Sequence, residues 1–285
     1  MDSTLWISGL RARVGHAVMA LTVAWLGFCP NDCLRAQASR GAEELLFDRD
    51  LGLVHSLRES RDFETALALL AKLAKDYPPQ TAQIAFERAR VLVDQAGIES
   101  DPIFRERQRR QARQALEKVL GGRPNPVQAA EAKVWLARVE MQLARAQLSR
   151  VLPLVSLPPE NGLAQAEKTK ARSALTESGK KLSEALAQAK AAIQSAPQET
   201  GLADRLATLL ARGELEVALS HFDAARTHNP QREADGRLVE VRKAQDLLLA
   251  VKSAGDSNPN ASVASAYMGL LLRENGEPQK ARQEL

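Results

Sequence analysis

The sequence predicts an all-α protein built from antiparallel helical hairpins. Hydrophobic residues make up 45% of the 285 residues but aromatic residues only 4%, so Ala and Leu supply most of the apolar surface. Such a composition suits close contact between helices better than the packing of sheets. Val and Ile are scattered singly, and no run of alternating apolar and polar residues predicts a strand.

Capping and breaking residues divide the first half of the chain into helices. Asp62 is a suitable N-cap, and Tyr77-Pro78-Pro79 ends the helix that follows it. A second helix is predicted over residues 80–96, before Gly97. Pro102 is placed to begin a third, which runs to Gly121-Gly122, and a fourth is predicted over residues 126–150. The connecting loops are short, which predicts that neighbouring helices pack antiparallel.

Residues 151–162 (VLPLVSLPPENG) contain three prolines and one glycine and are not expected to be helical throughout. We interpret them as a joint between a divergent helical-repeat array at 39–150 and a second array at 163–285. Residues 164–196 follow, and Ser178-Gly179 is expected to split them into a hairpin. The alternative is one long helix with coiled-coil character.

Residues 1–38 are typical of a signal peptide. Arg11, Arg13 and His16 give a basic start, and residues 17–28 form an uncharged apolar run too short to span a bilayer comfortably. Ala36-Gln37-Ala38 then provides a cleavage site before Ser39. We expect export to the periplasm or cell envelope; the alternative is an uncleaved segment that tethers the chain to the membrane.

Both cysteines, Cys29 and Cys33, lie inside the predicted signal peptide. The mature chain is then expected to have neither disulfides nor thiol chemistry. The net charge is only +4, so the pI of 9.2 is weak evidence for nucleic-acid binding. No nucleic acid is expected among the partners.

One spaced pattern of small and apolar residues occurs twice in the last third of the chain. Five residues separate Gly213 from Ala218 and also Gly276 from Ala281, and four more lead to Phe222 and to Leu285. The first copy contains Leu202, Leu206, Leu209, Gly213, Leu215, Ala218, Phe222, Ala225 and Pro230. The second contains Met268, Gly269, Leu272, Gly276, Ala281 and Leu285. Such spacing is typical of stacked helical hairpins.

This pattern resembles the tetratricopeptide repeat (TPR) family, whose unit is a pair of antiparallel helices. The resemblance is specific for residues 199–232 and 260–285, and looser for 61–96 and for the segments around Ala112 and Ala185. Leu206 departs from the pattern, because the family usually has Gly there. The resemblance implies a solenoid that holds another protein.

The same resemblance implies a concave groove lined by the first helix of each pair. Most of the residues expected there are small and apolar, which favours an apolar helix or an extended peptide over a carboxylate-ended ligand. The alternative is that they pack against a neighbouring helix. These residues are Ala203, Ala207, Leu210, Val263, Ala266, Leu270 and Arg273.

The densest basic stretch is FRERQRRQAR at residues 104–113. Arg105, Arg109 and Arg113 are four residues apart and share one helix face, so we consider a weak contact with a membrane surface or an acidic partner. The alternative is a solvated face, with Glu106 and Glu117 available for local pairing.

No recognisable motif predicts catalysis, a cofactor or a metal. His221 and His228 are seven residues apart and share a helix face, but no third ligand is spaced to join them. There is no glycine-rich phosphate loop, nucleophile elbow or paired metal-binding histidine motif. Carboxylates are abundant but spread over polar helix faces, and nothing marks two of them as a catalytic pair.

The leading hypothesis is an exported, non-enzymatic scaffold that binds a protein or peptide through a TPR-like groove in the cell envelope. Two alternatives stay open: the helical N-terminal part of a larger envelope enzyme, such as one acting on cell-wall glycan, or a membrane-tethered structural spacer. The last repeat stops at Leu285 after about two turns of its second helix, which favours a fragment of a longer protein.

Overall fold

The structure is a computed structural model that describes residues 31–284 apart from 123, 158–161, 196–201, 255–257 and 259; of residues 31–42 and 202–205 it describes only the backbone. No described residue lies in a strand, which confirms the all-α class. The α-helices are α1 (Asn31–Glu59), α2 (Phe63–Asp76), α3 (Thr81–Ile98), α4 (Pro102–Gly121), α5 (Pro126–Val151), α6 (Gly162–Ser195), α7 (Leu202–Ala225), α8 (Ala234–Ser253), α9 (Ala261–Glu274) and α10 (Pro278–Glu284).

The chain divides into two compact units, residues 1–56 and 57–285. In the first, α1 is described up to Ser56, whose hydroxyl donates to the carbonyl of Gly52. Most of the predicted signal peptide, residues 1–30, lies outside the described residues. The second unit holds α2–α10 and continues across residues 151–162, so the division into two arrays at that point stays a prediction.

Several helices begin where the sequence predicts, because the capping side chains make the expected bonds. The Asp62 carboxylate accepts from the Thr65 amide, and the Asp101 carboxylate accepts from the Ile103 amide at 2.7 Å. Asn125 caps α5 in the same way, and Pro102 and Pro126 occupy the first helical positions of α4 and α5. After α5, residues 152–154 form a single 3-10 turn, so the proline-rich joint is not helical throughout.

Helices next to each other in sequence pack antiparallel. Lys133 of α5 bonds to Gln188 of α6, and further along α5 Glu140 accepts from Lys181 at an earlier position of α6. The same reversal joins α6 to α7, where Lys190 meets Glu214 while Arg172 meets Thr227. Helices α5, α6 and α7 therefore alternate in direction along the chain.

Alternate helices run parallel and also touch. Arg138 and Arg145 of α5 bond to Glu216 and Asp223 of α7, and both pairs are separated by 78 residues. A constant separation means that the two helices run in the same direction. Between α7 and α9, the Phe222 and Tyr267 rings pack edge to face at 6.3 Å, and Arg226 lies 3.7 Å from Glu274 further along both helices.

The apolar core is a series of clusters along this stack. One cluster joins α3, α4 and α5 around Phe86, Leu116 and Val139. Another joins α5, α6 and α7, and a further one joins α7, α8 and α9 around Phe222. Each of these clusters takes residues from at least three successive helices, and the one around Phe222 also includes Ala281 of α10, so neighbouring helices stabilise one another.

The hairpin predicted at Ser178-Gly179 is wrong, because α6 runs unbroken from Gly162 to Ser195. Both residues are buried where α6 crosses its neighbours. A Cβ on Gly179 would collide with the Ser220 hydroxyl of α7. The glycine serves a close helix crossing rather than a turn.

The two copies of the repeat pattern also differ in structure. Residues 202–225 form one helix, so the helix pair expected within 199–232 is absent from its described part. At Gly213 a Cβ would meet the Leu186 side chain of α6. In the second copy Gly276 has φ +84° and separates α9 from α10, which gives the helix pair that the resemblance implies for residues 260–285. Pro278 cannot donate a helical hydrogen bond and begins the new helix there, whereas helix-forming residues surround Gly213.

Candidate functional site

Helices α6 and α8 lie on either side of α7 and leave an open cleft above it. The cleft has a volume of about 410 Å³. We call it the α6–α8 cleft. It is lined by Ser183, Leu186, Ala187 and Lys190 from α6, Glu214 and Val217 from α7, and Leu247, Ala250 and Val251 from α8.

The floor of the α6–α8 cleft is apolar and belongs to the core. Leu186, Val217 and Val251 are buried, and Leu247 is partly buried against the clusters on both sides of α7. Leu186 reaches the floor because Gly213 has no side chain to hold α6 away from α7. The floor is therefore preformed by packing and does not depend on a ligand.

The sides of the cleft include alanines, whose short side chains leave the cleft open. Ala187 and Ala250 are exposed and face the cleft from α6 and α8. A longer side chain at either position would occupy the space above Val217. These two positions can be enlarged without disturbing the buried core, since neither contributes to it.

One rim of the cleft carries a pair of opposite charges. Lys190 of α6 and Glu214 of α7 lie 2.6 Å apart, and their side chains are 54% and 36% exposed. An exposed pair of this kind contributes little to stability, typically about 0–1 kcal/mol. Both groups can therefore turn towards polar groups of a ligand at small cost, and they give the cleft a polar end.

Helix α7 is held from the opposite direction by charged groups of α5. Arg138 is 2% exposed and makes two 2.9 Å hydrogen bonds to Glu216, while its guanidinium lies 4.8 Å from the centre of the Trp135 ring. Two helical turns further along α5, Arg145 donates a 2.7 Å hydrogen bond to the Asp223 carboxylate of α7. Burial raises the pKa of Asp223, although Arg145 opposes this effect. These contacts fix the helix that forms the floor of the cleft.

The residues predicted to line a groove occupy α7 and α9. Ala207 of α7 is exposed, and the Ala203 side chain lies outside the described residues. On α9, Val263, Ala266 and Arg273 are exposed. None of them lines the α6–α8 cleft.

The remaining two predicted groove residues belong to different apolar clusters. Leu210 packs against the cluster that joins α5, α6 and α7, and Leu270 packs against the one that joins α7, α8 and α9. Because Phe222 lies level with Tyr267, the first half of α7 extends beyond the start of α9. The predicted groove residues of α7 and those of α9 therefore lie at different positions along the common direction of the two helices.

The three arginines predicted for a membrane contact all have partners within the chain. Arg105 donates to the carbonyls of Glu99 and Ser100, and Arg109 donates to the Gln142 carbonyl. Burial, together with Arg105 and Arg145 nearby, lowers the pKa of Arg109. The third, Arg113, pairs with Glu117 at 2.9 Å. Arg105 thus holds the loop after α3, and Arg109 joins α4 to α5.

The two histidines considered as metal ligands make separate contacts. His221 Nδ1 is 2.6 Å from the Glu240 carboxylate, which links α7 to α8. His228 is buried after α7, against Gly236. Among the described residues no group of three or more His, Cys, Asp or Glu could hold a metal ion.

Helix pairs within 164–196 and 199–232 do not predict the α6–α8 cleft, because each pair would break α6 or α7. A signal for continuous helices is present: Leu175 and Leu182 keep the helical period across Ser178-Gly179, and Leu206 and Val217 keep it across Gly213. Reading that period as continuous would have placed Ala187 and Glu214 on facing helices.

Comparisons with known proteins identify no family for this chain. No protein-family model matches it, and no curated protein matches it either. The likeness to TPR proteins therefore stays a resemblance in sequence pattern. In the part of the chain that the structure describes, no helix is both long and apolar enough to cross a membrane.

Proposed function

We propose that this chain is an exported, non-enzymatic scaffold that binds a protein or peptide partner in the α6–α8 cleft. The observation that carries the proposal is the combination of a preformed apolar floor and a polar rim. The cleft volume of about 410 Å³ lies within the range of about 300–1,000 Å³ usual for ligand sites.

The apolar floor fits aliphatic or aromatic side chains of a partner. Leu186, Val217 and Leu247 offer methyl groups at the bottom of an open channel between two helices. Burying one large apolar side chain there would supply about 1.5–3 kcal/mol. Two or three such anchors on an amphipathic helix or an extended segment would supply about 3–9 kcal/mol before the ordering costs of binding are subtracted.

The polar rim fits the backbone or a charged side chain of the same partner. Lys190 and Glu214 are exposed enough to exchange their mutual ion pair for new hydrogen bonds. Because one group is cationic and the other anionic, they would orient a segment with polar groups of both kinds. Ser183 adds a hydroxyl on the α6 wall.

The place of action in the proposal, the periplasm or cell envelope, rests on the sequence of residues 1–38. The basic start, apolar run and small-residue cleavage site support export. The TPR-like assignment rests on the repeat pattern and on the α9–α10 hairpin, where Gly276 makes the expected turn. Stacked helical pairs commonly serve protein binding, and this supports the scaffold role.

Matched arginine substitutions test which surface binds. Peptides selected from a random display library on the wild-type chain are measured against three variants by fluorescence anisotropy. Ala187→Arg with Ala250→Arg fills the α6–α8 cleft, Ala207→Arg with Ala266→Arg alters the groove predicted from the sequence, and Ala82→Arg is a control on α3. All five alanines are exposed, so the variants are expected to fold.

The proposal predicts that the cleft variant loses at least tenfold in affinity and that the control binds as the wild type does. Loss confined to the Ala207→Arg, Ala266→Arg variant would move the site to the α7 and α9 surface. Equal binding by every variant, or no selected peptide, would overturn the proposed function.

A further inference from the structure

Three large apolar side chains are exposed at the corner where α3 ends and α4 begins. Ile98 is 55% exposed, Ile103 is 78% exposed and Phe104 is 53% exposed. They are separated by only three loop residues and the helix-starting Pro102. Asp101 fixes the corner by capping α4 through the amides of Ile103 and Phe104. The corner, called here the α3–α4 corner, therefore places three exposed apolar side chains beside a capped helix start.

Two arginines follow Ile103 on the same face of α4. Arg107 is four residues beyond Ile103, and Arg110 is three residues beyond Arg107, so all three share one face of the helix. Arg150, near the end of α5, joins them across a shallow depression of about 630 Å³. Arg110 and Arg150 have side chains that are each 68% exposed.

The arginines outnumber the acidic groups at this surface. Glu106 is the acidic residue in the lining of the depression, and it is bonded by both Arg110 and Arg150. The hydrogen bond from Arg110 is the main reason that the pKa of Glu106 is lowered, so the carboxyl stays ionised. It neutralises one of the two guanidinium groups, and Arg107 adds a further positive charge. The depression therefore attracts anions.

We infer that the α3–α4 corner docks onto an anionic lipid surface, with Ile98, Ile103 and Phe104 at acyl-chain level and Arg107, Arg110 and Arg150 at the headgroup phosphates. This contact is separate from the α6–α8 cleft. It also differs from the membrane contact considered from the sequence, since Arg105 and Arg109 are engaged inside the chain.

The order of the groups along α4 favours a lipid surface over an acidic protein. At a rise of about 1.5 Å per residue, Arg107 lies about 6 Å and Arg110 about 10 Å behind Ile103 along the helix axis. Interfacial protein segments bury their apolar groups about 5–10 Å into the boundary between headgroups and acyl chains. Exposed apolar side chains followed by cations at this spacing match the layering of a bilayer surface, and Phe is among the residues that interfacial helices bury.

A site-specific fluorophore tests this contact independently of residues 1–38, whose apolar run might itself bind lipid. The full chain carries Cys29→Ser and Cys33→Ser, and a single cysteine is introduced by Phe104→Cys and labelled with the environment-sensitive dye NBD. The matched control carries the same label at Leu238→Cys, an exposed apolar position of α8. Each is mixed with vesicles of phosphatidylcholine alone or with phosphatidylglycerol added.

The inference predicts a blue shift and at least a twofold rise in NBD emission at position 104, only with phosphatidylglycerol, and no change at position 238. Adding Arg107→Gln and Arg110→Gln is expected to weaken the response by about 25-fold in lipid concentration, since each arginine contributes about fivefold at an anionic surface. The control Arg88→Gln with Arg212→Gln is expected to leave it unchanged.

Three outcomes would overturn the inference. Vesicle binding without a change at position 104 would assign the contact to another part of the chain. A response that is equal with phosphatidylcholine alone, or insensitive to the arginine substitutions, would remove the role of charge. A response at position 104 to poly-glutamate in solution, with none to vesicles, would assign the corner to an acidic protein partner.

Discussion

Arg138 of α5 and Glu216 of α7 form a bidentate ion pair, with two N···O distances of 2.9 Å, between parallel helices that are not neighbours in sequence. Arg138 is 2% exposed, so its guanidinium has little access to water. The pair joins α5 directly to the helix that forms the floor of the α6–α8 cleft. Removing this ion pair by substitution therefore tests directly how alternate helices are held together.

Removing the acidic partner is expected to destabilise the fold strongly. Glu216→Gln leaves a buried arginine without its counter-charge, which typically costs about 3–5 kcal/mol of unfolding free energy. Urea unfolding followed by circular dichroism measures the loss. As a control, Glu184→Gln breaks the exposed pair between Lys180 and Glu184 and is expected to cost at most about 0.5 kcal/mol. Similar losses in both variants would contradict the structural role assigned to Arg138.

Substitution by alanine is expected to destabilise the fold at the glycines of the α6–α7 crossing and to stabilise it at a glycine with open space around it. Gly179→Ala would press against Ser220, and Gly213→Ala against Leu186, so each is expected to cost about 1–3 kcal/mol. Gly97→Ala has open space around the new methyl group and is expected to stabilise α3 by up to about 1 kcal/mol. Thermal unfolding gives the sign of each change. Stabilisation by Gly213→Ala would mean that the helices do not approach closely there.

The same comparison shows how far the sequence predicts the fold. Asp101 before Pro102 and Asn125 before Pro126 are local signals, so the starts of α4 and α5 could be predicted. A glycine at a turn and a glycine at a helix crossing look alike when each is taken alone. Pro278 marks the turn after Gly276, whereas the crossing at Gly213 depends on Leu186 of another helix, which the local sequence does not show. The α6–α8 cleft could not be predicted for the same reason, since it exists only if α6 and α7 are continuous.

At Gly276 the backbone itself, rather than space, excludes other residues. The φ angle of +84° is rarely adopted by residues with a Cβ, and no neighbour lies within 4 Å of the Cβ position. Gly276→Ala is expected to cost about 1 kcal/mol, and Gly276→Asn less, because asparagine tolerates this region. Chemical denaturation of the two variants measures the difference. Equal or no loss in both would contradict the turn between α9 and α10.

Protonation of His228 is expected to weaken the fold as the pH falls. Burial, and then the charge of Arg172, lowers the pKa of His228 from its ordinary value of 6.5. The unfolded chain therefore binds this proton more readily, so unfolding free energy is lost as the pH drops below about 6.5 towards the folded pKa. Urea unfolding at pH 7.5 and 5.5 should show a decrease that His228→Asn reduces. An unchanged pH dependence in His228→Asn would contradict this assignment.

Photo-crosslinking of a bound peptide tests the central claim most directly, namely that the partner lies in the α6–α8 cleft. A benzophenone amino acid is placed at single positions of a peptide selected on the wild-type chain, the complex is irradiated, and the crosslinked residues of the protein are identified by mass spectrometry. Crosslinks are expected at residues that line the α6–α8 cleft, such as Ala187 and Ala250, and none at Ala82 of α3. Crosslinks confined to the surface around Ala207 and Ala266, with none in the cleft, would contradict the claim.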